Sequence, residues 1–235
     1  MMEFSLLGAA AMAIAAIYLA LWWEVGRGNA ADRTRDLWDT IITAGVTGLV
    51  AGRLAAMIGG GTNPLANPAD ILIVRSGVDT GIAALVAIGV AAFMARRDLL
   101  PTLDAIAPAT VAGLAGWHAG CLVTDACLGT PTGLPWGIAQ AGSDIPRHPV
   151  EIYAALLLVI GAVALIAWKR RHPPAGMTAG AALAWAGGAR LLTEPMRPGI
   201  GTGPEWWYAA AIAVGIALAV WGSLRTRYPA DSGQP

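Results

Sequence analysis

Along the chain, apolar residues gather into seven stretches, at residues 4–23, 38–58, 79–95, 105–122, 150–168, 177–194 and 206–224. Each is close to the roughly 17 to 25 residues that a helix needs to cross the hydrocarbon layer of a bilayer. A helix of a water-soluble core would carry a polar outer face, yet residues 154–167 contain no polar side chain at all. The pattern predicts an all-α membrane protein with seven transmembrane helices, a single domain over residues 1–228 with a short cytoplasmic tail at 229–235. The first stretch is preceded by Glu3 and by no Lys or Arg, unlike a cleaved secretion signal, so it is expected to remain in the mature chain. The connections at 59–78, 123–149 and 195–205 are the longest and the richest in Gly and Pro. No repeat unit recurs.

Composition narrows the reading. Hydrophobic residues make up 56% of the chain and charged ones 13%, against about a quarter charged in an ordinary soluble domain. Fifteen basic and fifteen acidic residues cancel, which leaves no basic surface to follow a nucleic acid backbone. Ten Trp against two Phe suit rings that sit at a lipid–water boundary. Arg27, Arg33, Arg35, Arg96, Arg97, Lys169, Arg170, Arg171, Arg225 and Arg227 fall on one side of the seven stretches, and only Arg75, Arg147 and Arg197 on the other. The positive-inside rule then puts the N-terminus outside and the C-terminus in the cytoplasm.

Charges inside such stretches cost about 2.5 to 3.5 kcal/mol each on the insertion scale, so they face protein or a wet cavity. Arg53, Asp79, His118, Glu151, Tyr153, Arg190 and Glu194 all come out in the outer half of the membrane, contributed by five different helices. Singly, each reads as an interfacial anchor or an interhelical pair. Together they read as a site. Glu24, Asp39 and Asp104 are the exceptions at the cytoplasmic end. Arg190 and Glu194 share a helix face at i, i+4, whereas Arg53 has no carboxylate within four residues. It needs another helix or an anion, and a phosphate suits a guanidinium's paired donors. Gly45, Gly48 and Gly52, and Gly187 and Gly188, read as close helix contacts compatible with a lipid-sized cleft. Cys121 and Cys127 lie too far apart to bridge on one continuous helix; a disulfide after a turn, two buried thiols and a reactive thiol all remain open. His118 with Cys121 is too small a donor set for a structural metal.

Read together, these segments resemble the prolipoprotein diacylglyceryl transferases, bacterial seven-span enzymes that lipidate the cysteine of secreted lipoprotein precursors. Gly48 to Leu54 is similar to the family's Gly-Gly-Arg segment. Arg147-His148-Pro149-Val150-Glu151-Ile152-Tyr153 resembles its Arg-His-Pro-Ser-Gln-Leu-Tyr-Glu motif, with Glu in place of Gln. Arg190, Glu194 and Arg197 keep the spacing of its span-six motif, and Gly129 with Pro135-Trp136-Gly137 matches the close of its signature. The departures are local. His118 stands at the signature arginine, Cys121 at its asparagine and Ala126 at its glutamate beside Asp125, while Asp79-Thr80-Gly81 stands for His-Gly-Gly. The family's N-terminal tyrosine has only Phe4 nearby, and the outer head segment is short.

The resemblance implies transfer of a diacylglyceryl group from phosphatidylglycerol to the lipobox cysteine thiol of a prolipoprotein signal peptide, with neither cofactor nor metal. It implies a multi-pass protein of the bacterial inner (cytoplasmic) membrane among membrane lipids, with no nucleic acid partner. By the same resemblance Asp79, His118, Arg190 and Glu194 are candidate catalytic residues, Asp79 and His118 being the alternative bases. Arg53, Arg147, His148, Glu151, Tyr153, Gly129 and Arg197 are candidate substrate-binding residues. A non-catalytic lipid-binding or assembly protein on the same scaffold, and a thiol-redox membrane protein, are the competing readings. A channel fits poorly, because the polar residues stop at mid-depth.

Overall fold

The computed structural model describes residues 5–25, 34–66, 68, 78–124, 127–140, 142–198 and 205–227. The tail at 229–235, Phe4, Asp125, Ala126, Arg27, Arg33 and Arg75 lie outside these residues. Seven long helices stand where the seven apolar stretches are: α1 (Ser5–Val25), α2 (Thr34–Gly59), α3 (Thr80–Met94), α4 (Leu99–Ala119), α6 (Val150–Lys169), α7 (Met177–Thr193) and α8 (Glu205–Arg227). A single turn, α5 (Cys121–Thr124), follows α4, and two-residue strands β1 (Ile138–Ala139) and β2 (Pro146–Arg147) pair antiparallel in the connection before α6.

The helix boundaries follow local chemistry. Asp79 starts α3 by accepting a 2.9 Å hydrogen bond from the Ile82 N–H, as a capping carboxylate does. Pro101 occupies the first turn of α4, where a missing N–H costs nothing. Pro195 ends α7 in one 3₁₀ turn, Glu194–Met196. The stretch predicted at 105–122 departs from the structure at both ends. Helix α4 begins at Leu99, and it gives way at Gly120 to the separate turn α5.

Contacts run α1 with α4, α2 with α3, α4 with α6, α6 with α7 and α7 with α8. Helix α4 serves both interiors. Ile106 and Ala109 join Leu21, Leu37, Ile41 and Ala91 from α1, α2 and α3, while Ala107, Val111 and Ala115 join Leu158, Leu165, Ala182 and Ala189 from α6 and α7. Helices α7 and α8 approach backbone to backbone: a Cβ at Gly215 would stand 2.5 Å from the Ala184 nitrogen, so only glycine fits.

The outward surfaces are as apolar as the interior. On α6, Leu158 is buried while Leu156, Val159, Ile160 and Val163 are exposed. A helix apolar on every face is at home in lipid rather than water. Four helices, 36–59 within α2, α4, α6 and 205–225 within α8, are long and apolar enough to cross a membrane, and α1 and α3 contain shorter apolar helices.

One end of the bundle is locked by buried charges. Glu24 of α1 is fully buried and accepts a 2.7 Å hydrogen bond from Lys169 Nζ of α6, which also donates to the Ala105 carbonyl of α4 at 3.0 Å. Beside it, Asp104 caps α7 through the N–H groups of Gly176 and Ala179, at 2.6 and 2.7 Å.

Candidate functional site

At the opposite end, the last turn of α4, the first turn of α6 and the end of α7 converge, and the sequence candidates there meet on one residue. Glu151 opens α6, where the helix dipole favours a carboxylate. Its Oε2 lies 2.6 Å from His118 Nδ1 at the end of α4 and 3.7 Å from Arg190 Nη1 of α7. Its Oε1 lies 3.3 Å from Arg197 Nε, just past the 3₁₀ turn. Glu194 completes the cluster, its Oε2 standing 3.5 Å from both Arg190 Nη2 and Arg197 Nη1. Two carboxylates therefore oppose two guanidiniums, with a histidine at the edge. The side chains of His118, Glu151, Arg190 and Glu194 are 13, 15, 12 and 9% exposed, whereas Arg197 is 40% exposed. Tyr208 of α8 lies under Arg190, with the guanidinium 5.6 Å from the ring centre, within the range of a cation–π contact.

The connection ahead of α6 frames this cluster. The Gly129 N–H donates to the His148 carbonyl at 2.7 Å, the His148 N–H to the Thr130 carbonyl at 3.0 Å, and the Thr130 N–H to the Met196 carbonyl at 2.8 Å. Gly129 is held so close to the Met196 carbonyl that a Cβ would collide with it. Arg147 Nη1 donates to the Gly129 carbonyl at 3.1 Å. Tyr153 Oη accepts from Trp136 Nε1 at 2.7 Å, and the Tyr153 ring meets His148 edge-on. Three buried nitrogens in this region have no hydrogen-bond partner: Arg147 Nε, His148 Nδ1 and Arg190 Nη1. Such groups are costly unless a ligand or water completes them.

Cys121 and Cys127 form a disulfide, with 4.9 Å between their Cα atoms. Helix α4 ends at Ala119 and the single turn α5 ends at Thr124, before Cys127, so the two cysteines do not share one continuous helix. The bridge joins α5 to the stretch whose Cys127 carbonyl accepts from the Glu151 N–H at 3.4 Å. Of the three states open from sequence, the structure has the disulfide, and among the described residues there is no free cysteine.

Arg53 and Asp79 belong to the α2–α3 side of the same end. Arg53 is 2% exposed, and the Asp79 N–H donates to the carbonyl of the preceding Gly52 at 3.0 Å. The Asp79 carboxylate, a candidate base, also serves as the cap of α3. Gly81 abuts the Trp207 indole, and Tyr208 beneath Arg190 follows directly, which links α3 to the cluster through α8. Trp136 and Tyr208 were not singled out as site residues by sequence. Trp136 lies within the matched Pro-Trp-Gly; Tyr208 carries no sequence signal beyond its place beside Trp206 and Trp207.

Fold and site together define an all-helical membrane protein with a buried, charge-balanced cluster at one end of the bundle. The chain belongs to the prolipoprotein diacylglyceryl transferase family, whose model matches residues 2–221. It is 34% identical over 158 residues to a phosphatidylglycerol–prolipoprotein diacylglyceryl transferase of Cupriavidus pinatubonensis; the match covers 60% of this chain and 55% of that relative, little more than half its length. It is 32% identical over 228 residues to the enzyme of that name from Cupriavidus necator, covering 86% of this chain and 80% of the relative. With the enzyme of that name from Bordetella bronchiseptica it shares 29% identity over 222 residues, covering 88% and 82%.

Proposed function

We propose that this protein moves a diacylglyceryl group from phosphatidylglycerol to the lipobox cysteine thiol of a prolipoprotein signal peptide, at the outer face of the bacterial inner membrane. All seven long helices cross the bilayer as one domain, with the N-terminus outside, the C-terminus in the cytoplasm and the Glu151 cluster just below the outer surface. The chemistry asks for an anion holder, a proton acceptor for the thiol and exclusion of water. The observation that carries the reading is the meeting of His118, Glu151, Arg190, Glu194 and Arg197 from separate elements in one mostly buried cluster.

Arg190 and Arg197 hold the lipid phosphate and stabilise the charge that develops as glycerol phosphate leaves. Arg190 Nη1, ion-paired with Glu151 at 3.7 Å but without a hydrogen bond, offers a donor for it. Glu194 orients both guanidiniums. Arg53, Arg147 and His148 border the headgroup space, and the Trp136–Tyr153 pair closes its rim. The buried carboxylates keep the arginines spread and aimed before lipid arrives.

The direct test incubates radiolabelled phosphatidylglycerol and a lipobox peptide with proteoliposomes containing the purified full chain. A thioether-linked lipopeptide is expected, as is rescue of a transferase-depleted strain. Lipid binding without product would instead favour the non-catalytic reading, which the substitutions at the signature arginine and asparagine keep in contention.

A further inference from the structure

We infer that His118 is the base that takes the thiol proton and that Glu151 is the positioning residue that makes it one, the two acting as a single unit. This rests on the transfer reading above. An ionised carboxylate can only accept, so the His118 Nδ1 at 2.6 Å from Glu151 Oε2 carries the proton, and the neutral ring presents its lone pair at Nε2. A base held by a carboxylate behind it is the arrangement that activates a nucleophile.

The other histidines and Asp79 are placed differently. The chain has three histidines. His172 lies beyond the far end of α6, and His148 Nδ1 has no hydrogen-bond partner to fix its ring. The Asp79 carboxylate takes the capping hydrogen bond of α3 and, among the described residues, has no such carboxylate-to-imidazole arrangement behind it. The charge arrangement adds a reason. Glu151 and Glu194 balance Arg190 and Arg197, so the resting cluster is neutral with His118 unprotonated. A proton gained by His118 adds one positive charge, which the phosphate of the departing group offsets. The cluster is thus disposed to receive a proton and an anion in the same step.

In that step the thiol S–H proton passes to His118 Nε2 while sulfur forms a bond to the glyceryl carbon of the lipid. The bond from that carbon to the phosphate oxygen breaks, and its electron pair leaves on glycerol phosphate. The imidazolium then returns its proton to the released phosphate monoester or to water, which restores the neutral ring.

The experiment measures transfer by His118→Gln, Glu151→Gln and the double variant in proteoliposomes, with lipid KM and kcat separated. His118→Gln is expected to lower kcat by about 100-fold or more, the ordinary contribution of a positioned base, with little change in KM. Glu151→Gln lowers kcat as well, but adds almost nothing once His118 is already Gln. Added imidazole restores turnover to His118→Ala, a response that a purely structural histidine would not give. Thermal unfolding in detergent verifies that each variant is folded. Unchanged kcat in His118→Gln, equal losses from Glu151→Gln in both backgrounds, or failure of imidazole rescue in a folded His118→Ala would overturn the unit. If the unaltered chain makes no thioether product, the transfer reading falls first and this assignment falls with it.

Discussion

Glu151 serves three partners from three elements: an imidazole from α4 and guanidiniums from α7 and from the turn after it. Its neighbours are not equivalent. Arg190 is buried and backed by the Tyr208 ring, whereas Arg197 is 40% exposed and its pairs are screened. Arg190→Ala is therefore expected to lower kcat/KM by about 100-fold or more, the scale of losing a buried donor to developing charge. Arg197→Ala lowers it by less than about tenfold, as befits an exposed ion pair; steady-state transfer kinetics on the two variants separate these outcomes. At this scale the sequence shows which polar groups stand in apolar stretches and is silent about their pairing. His118 and Glu151 are visible as polar groups in apolar stretches, but 33 positions and an irregular connection separate them. The Arg190–Glu194 contact is legible because helix pitch alone creates it.

Between elements, the break at Gly120 has the widest effect. Hydropathy predicts one helix through 122, because Gly120, Cys121 and Leu122 are as acceptable to lipid as their neighbours, so the turn leaves no apolar signature. The disulfide that the turn permits closes a short loop beside the cluster. Replacing both Cys121 and Cys127 by Ser is expected to remove about 2 kcal/mol of stability, the entropy lost by so small a loop in the unfolded chain. Unfolding midpoints in one detergent, with and without reductant, check this: reductant lowers the midpoint of the native chain and leaves that of the double variant unmoved. The seven long helices, of which four are long and apolar enough among the described residues to cross a membrane, are in contrast readable as apolar runs. Their ends are not, because caps such as Asp79 and Asp104 depend on which N–H groups another part of the chain presents.

Across the described residues, the buried charged clusters stand at the two ends of the bundle. The Glu24–Lys169–Asp104 group at one end is as buried as the Glu151 cluster at the other, yet among the described residues its hydrogen bonds tie α1, α4, α6 and the start of α7 together and involve no arginine. Lys169→Met leaves the fully buried Glu24 without its cation, a change that costs about 3–5 kcal/mol. Transfer per folded molecule should stay within about twofold of the native value, as expected for a distant, independent site. A thermal midpoint and a rate normalised to folded protein measure the two halves of this prediction.

Helix α6 joins these ends. It carries Glu151 in its first turn and Lys169 in its last, each tied to other helices. A rod moored top and bottom cannot slide like a piston. Eighteen residue steps at about 1.5 Å each place the moorings roughly 27 Å apart, so its position is set at both ends. On the transfer reading, a two-tailed guest is expected to be admitted by movement of helices other than α6.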